Sequence, residues 1–249
     1  ITGAGEIDFN GQSSAGTAAI SGSTDITFGS SSTGGSATIT VVNSLWFFSS
    51  STAGGATITT NTGATTRFST QSTGGNAKLD TLAGGTVDFS STNGPANDGK
   101  ISAGSIAGAG SYILGDNQLT VGSNNLSTAV SGVISGAGGA LLKSGAGTLA
   151  LTGANTYTGA TIVNQGTLAL SGSASTTQSS GLTVAAGATV NVTVLTFAGS
   201  EGETVVNKGT ITGELRLGAG ADRFNGAGGA AARVFGEAGN DTLAGGAAK

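Results

Sequence analysis

Ser13-Ser14-Ala15-Gly16-Thr17-Ala18-Ala19-Ile20 is written again, with small changes, as Ser32 to Ile39, Ser51 to Ile58 and Ser72 to Leu79. Each copy ends on an apolar residue, with alanine two places earlier and glycine four places earlier. Columns Ala18/Ala37/Ala56/Ala77 and Gly16/Gly35/Gly54/Gly75 therefore recur at intervals of 19, 19 and 21. A phenylalanine column, read as Phe9/Phe28/Phe48/Phe68/Phe89, keeps step at 19, 20, 20 and 21. Columns in phase make each repeat one structural unit with at least two inward-facing strands. Such a unit cannot bury its apolar face alone and must stack on its neighbours.

Within the unit, Glu6-Ile7-Asp8-Phe9 and Asp25-Ile26-Thr27-Phe28 alternate polar and apolar residues, as half-buried strands do. Each then runs into Ser, Thr and Gly, which turn the chain at little steric cost. A repeat of this length with short strands and no helical period predicts an all-β, right-handed parallel β-helix (β-solenoid) of about 19–26 residues per rung. The residue before each column phenylalanine should face outward, which gives Asp8, Thr27, Phe47, Arg67 and Asp88, with Arg67 and Asp88 as oppositely charged neighbours. Leu45-Trp46-Phe47-Phe48 is the aromatic cluster. Trp46 and an outward Phe47 offer a stacking platform for a sugar ring or a partner protein, the alternative being bulky groups packed within a rung.

Composition agrees with a repeat scaffold. With 47 glycines and only 9% charged residues in 249, the chain departs from an ordinary globular domain, of which about 25% is charged. The in-phase apolar columns nonetheless give it a continuous surface to bury against ordering entropy. Cysteine and histidine are absent, which excludes disulfides, thiolate zinc sites and histidine-based catalysis. The lack of methionine and of an apolar leader leads to the expectation of a processed or excised segment. No run of 18 apolar residues is present, so no membrane span is expected in this segment. Net charge is −4 and the basic residues are scattered, so no nucleic-acid partner is expected. The chain reads as a single β-helix over 1–249. Residues 1–99 form regular rungs, 100–217 looser ones after an added loop around Pro95, and 218–249 Gly/Asp-rich terminal turns.

The most specific wording lies at about 138–170: Leu141-Leu142-Lys143-Ser144-Gly145-Ala146-Gly147-Thr148-Leu149, Asn155-Thr156-Tyr157-Thr158-Gly159 and Asn164-Gln165-Gly166-Thr167-Leu168. It resembles the autotransporter-associated β-strand repeat of passengers secreted by the Gram-negative type V route. Strands are expected at Leu141-Leu142, Thr148 to Leu151 and Thr161 to Val163. The resemblance implies an extracellular β-helical passenger at the bacterial outer-membrane surface, with signal peptide and membrane barrel lying elsewhere.

Near the end, Gly218-Ala219-Gly220-Ala221-Asp222-Arg223-Phe224 and Gly236-Glu237-Ala238-Gly239-Asn240-Asp241-Thr242-Leu243 are similar to half of the calcium-binding nonapeptide of repeats-in-toxin proteins. Asp222 and Asp241 are accordingly candidate calcium ligands, or else caps of tight turns. No other cofactor is indicated. Asp8 aligns with Thr27 and Asp88 with Arg67, so acids on adjacent rungs do not pair as glycoside chemistry would require, while Glu201 and Glu203 read as solvated loop acids. The expected function is therefore non-catalytic: a surface stalk or adhesin that binds host glycans or proteins, or other copies of itself in biofilm. Alternatives are a filament built by end-to-end stacking and a polysaccharide lyase or glycosidase of the β-helix type.

Overall fold

The computed structural model describes all residues except 4, 23–24, 172–177, 199–201 and 246–249. The chain winds into a parallel β-solenoid of about 11 turns. A 12-stranded sheet runs along most of its length, from Thr2–Gly3 to Ala230–Phe235, and every strand pair in it is parallel. A seven-stranded sheet from Ile7–Phe9 to Ile134–Ser135 flanks its first half, and an eight-stranded sheet from Lys100–Ala103 to Thr242–Ala244 flanks its second. Among the described residues no helix is long and apolar enough to cross a membrane.

The repeated phrase explains each rung. Thr38–Val41, Thr57–Thr60 and Lys78–Thr81 lie in register, so that Ile20, Ile39, Ile58 and Leu79 form one buried file. At the corner before these strands the hydroxyls of Thr33 and Thr52 each accept the N–H of the glycine two residues on, at 3.1 Å. Gly35 and Gly54 take φ of +60° and +65°, where an L side chain is strained. Single bridges join Ser14, Thr33, Thr52 and Thr73 from rung to rung, making a third face one residue wide. It broadens beyond Thr73, whose Oγ1 lies 3.1 Å from Ser102 Oγ in the first strand of the eight-stranded sheet.

The phenylalanine file differs from the expected one in a single member. Phe9, Phe28, Phe47, Phe68 and Phe89 stack with centroids 4.5–4.9 Å apart, the repeat of the rungs themselves. Phe47 is fully buried and Phe48 is not in the file. Extended backbone alternates its side chains, so moving the inward position by one residue turns Trp46 outward in place of Phe47. Each inward ring is worth about 1.5–3 kcal/mol of burial relative to exposure.

Rung length varies more than expected at one step. Leu79 pairs with Ile106, 27 residues on, because the turns between Asn93 and Gly99 extend that rung before the strand Lys100–Ala103. Further along, Leu149, Leu168, Val190 and Ile211 succeed one another after 19, 22 and 21 residues. The strands Ala140–Lys143, Thr148–Leu151 and Thr161–Val163 fall where the passenger-like wording places them. Where the seven-stranded sheet ends, Asn155 and Thr156 take over the next rung. Asn155 Oδ1 accepts the Ile134 N–H at 2.9 Å, and Thr156 N–H donates to Ile134 O at 2.9 Å.

Candidate contact face and terminal acid turns

The outward column of the seven-stranded sheet runs Asp8, Thr27, Trp46, Arg67, Asp88. Thr27 Oγ1 donates to the Asp8 carboxylate, the Arg67 guanidinium lies 5.8 Å from the Trp46 ring centroid, and Arg67 Nε is 3.4 Å from Asp88 Oδ2. Trp46 is 47% exposed. Phe47, expected beside it as a surface contact, lies in the core and offers no surface. Arg67 leans over the indole, so the tryptophan already belongs to a cation–π and ion-pair chain along the solenoid. Asp88, expected on the surface, is buried. Ile113 stands on it in the next rung, and the Ser90 N–H and hydroxyl both donate to its Oδ1.

The 12-stranded sheet presents a different surface. Its outward positions form files of small side chains: Thr148, Thr167, Thr189 and Thr210 in one, Ala150, Ala169, Asn191 and Thr212 in the other. Nearer the start, Thr38 stands beside Thr57 and Thr40 beside Thr59. The charges that follow them, Lys78 and Asp80, neutralise each other at 3.4 Å. Successive rungs lie about 4.8 Å apart, so this is a flat lattice of hydroxyl and methyl groups.

The passenger-like stretch also holds a charge that the apolar pattern conceals. Strict alternation from Leu141 turns Lys143 inward, between Val121 and Val163, and leaves it 1% exposed. Its ammonium donates to Ser144 O, Gly145 O and Gln165 O at 2.6, 2.7 and 3.2 Å, fastening the corner of one rung to that of the next. Burial holds its pKa below the ordinary lysine range. Tyr157, also buried, shares a 2.7 Å hydrogen bond with Thr161, and burial pushes its phenol above the usual range.

At the far end, Thr204, Arg223 and Thr242 are in register, so the acids preceding them, Glu203, Asp222 and Asp241, share one column 19 residues apart. Asp222 Oδ1 accepts the Glu203 N–H at 2.8 Å and Asp241 Oδ1 accepts the Asp222 N–H at 3.1 Å. Each aspartate thus caps the turn of the rung before it. Glu203, read from the sequence as solvated, is 5% exposed, while Glu201 lies outside the described residues. Asp222 is 1% exposed, and its Oδ2 has no hydrogen-bond partner. The three acids form a file; among the described residues no three acidic side chains converge on one point.

Comparison with known proteins adds one match. Residues 141–170 fit the model of the passenger-associated-transport-repeat. No curated protein and no solved structure matches the chain. The matched segment contains the buried Lys143, the Asn155 and Tyr157 corner and the strands Thr148–Leu151, Thr161–Val163 and Thr167–Leu170. This chain is therefore a parallel β-solenoid carrying the passenger-associated-transport-repeat, which is typical of autotransporter passenger domains and implies a secreted, extracellular or cell-surface protein.

Proposed function

We propose that this segment is a non-catalytic passenger stalk at the bacterial surface, and that the outward face of its 12-stranded sheet is an adhesive face pairing with a second copy of the chain. The carrying observation is the pair of files Thr148/Thr167/Thr189/Thr210 and Ala150/Ala169/Asn191/Thr212. Small side chains let two such faces approach closely, and each threonine hydroxyl is donor and acceptor at once, so the rungs that carry these files complement themselves without charge. Ordering costs are low because the lattice is rigid before contact is made.

Sedimentation of the chain over a range of concentrations tests this reading. A reversible dimer is expected, and Thr167→Lys with Ala169→Lys, placed at the middle of the face, should abolish it by setting like charges against each other. A monomer at all concentrations, or a dimer indifferent to the two lysines, would overturn it.

A further inference from the structure

We propose that Trp46 and Phe48 form a binding site for a neutral, gluco-configured glycan on the outer face of the seven-stranded sheet. The site lies apart from the self-pairing face and does not depend on it. It arises from the one-residue shift that puts Phe47 in the core. Alternation then sends Trp46 and Phe48 outward together, about 6.6 Å apart along the chain, whereas the other aromatic residues of this sheet, Phe9, Phe28, Phe68, Phe89 and Tyr112, belong to the core. Trp46 is exposed and Phe48 half-buried. Room for Phe48 comes from Gly29 on the preceding rung. A Cβ there would stand 2.4 Å from the Phe48 Cζ and 2.6 Å from Asn10 Oδ1, so the ring occupies the place of the missing side chain.

Polar groups with bonding capacity to spare border the two rings. Asp25 Oδ1 accepts Asn43 Nδ2 at 2.7 Å and Ser44 Oγ at 2.6 Å, which fixes the carboxylate beside the strand of Trp46 and leaves its Oδ2 without a partner among the described residues. On the following rung the Arg67 guanidinium stands 5.8 Å from the indole centroid, off the centre of the ring. Its Nε is turned to Asp88 at 3.4 Å, and its two terminal nitrogens have no partner among the described residues. These groups are held in place before any ligand arrives, so binding orders little more. The complement of flat apolar rings rimmed by an acceptor and donors is a pyranose whose substituents are all equatorial. Its C–H groups lie on the aromatic faces and its hydroxyls reach the carboxylate and the guanidinium at the edge. Asp8, Asp25 and Asp88 outnumber Arg67 on this face, which disfavours an anionic polysaccharide.

Trp46 is the only tryptophan, so its fluorescence reports on the site directly. Titration of the whole 249-residue chain with cellohexaose should shift that emission and saturate with a dissociation constant of about 1 mM or tighter. A galacto-configured oligosaccharide, whose axial hydroxyl breaks the flat face, should bind several-fold more weakly, and heparin should give no saturable change. In calorimetry with cellohexaose, Trp46→Ala should abolish binding and Asp25→Asn should weaken it several-fold. Trp46 lies outside the core and Asp25→Asn keeps an oxygen for Asn43 and Ser44, so the circular dichroism of both variants should match that of the parent chain. Phe235→Ala, which removes an exposed ring near the far end of the solenoid, should bind as the parent does. No saturable change with cellohexaose would overturn the proposal. So would binding left unchanged in Trp46→Ala or Asp25→Asn, or heparin bound more tightly than cellohexaose.

Discussion

Phe47 and Phe48 are chemically identical neighbours, and one residue of register decides which of them holds the core. Phe47 stacks between Phe28 and Phe68 and is buried, whereas the ring of Phe48 lies over Gly29, with its Cζ 2.4 Å from where a Cβ would stand. Phe47→Ala should cost about 3–5 kcal/mol, and Phe48→Ala less than half of that, in urea denaturation. Equal losses would mean that the stack is not continuous through this rung. The correct choice was legible. The alanine and glycine columns step by 19, 19 and 21, and the same steps carried from Phe9 land on Phe28, Phe47 and Phe68. A doublet of phenylalanines hides this only when the column is read by itself. Lys143 was concealed for the opposite reason: an inward charge contradicts the apolar pattern, and only the carbonyls that converge on it explain its position. Glu203 and Asp222 were likewise hidden, since burial of an acid depends on which rungs cover it.

A rung is a compromise between what a turn needs and what the next rung permits. Gly16 and Gly54 occupy equivalent corners with φ of +59° and +65°, yet a Cβ at Gly16 would meet nothing within 4 Å, while one at Gly54 would stand 2.7 Å from Thr33 Oγ1 and 2.9 Å from Gly35 O. Alanine at either site pays for the left-handed backbone, about 1–2 kcal/mol. At Gly54 it must also push two rungs apart, so Gly54→Ala should lose about 1–3 kcal/mol more than Gly16→Ala. Paired thermal melts would show this as a larger fall in melting temperature for Gly54→Ala; equal falls would locate the whole requirement in φ and none in stacking. The Ser/Thr-x-Gly corners were legible as turns because their chemistry is local. The exchange of one flanking sheet for another near Lys100 was not. It depends on where the 27-residue rung sets its extra residues down, a matter of contacts between Thr73 and Ser102 far apart in sequence.

Over the whole molecule, stability is close to a sum over rungs and their interfaces, so a few buried titratable groups can govern its response to pH. Tyr112 and Tyr157 are both buried. The Tyr112 hydroxyl lies 2.6 Å from Ala107 O and 2.9 Å from Leu79 O, and accepts the Ala107 N–H at 3.1 Å, so it ties two rungs of the long sheet together. Burial raises both phenols above their ordinary value, which means the folded chain keeps protons that the unfolded chain releases near pH 10. Their contribution is therefore intact below about pH 10 and is lost as pH climbs from there toward the folded values. Lys143 works in the other direction. Its folded pKa is depressed, so the unfolded chain binds the extra proton, and stability rises between the depressed value and about pH 10.4. Above that window the lysine no longer changes, and the two tyrosines dominate. Melting temperature should fall steadily above about pH 10, and Tyr112→Phe, though less stable at neutral pH for want of a partner to Ala107 N–H, should fall less steeply with pH than the parent. A parent curve that stays level through the alkaline range, or one whose slope Tyr112→Phe leaves unchanged, would place the phenols in water and remove them as ties between rungs.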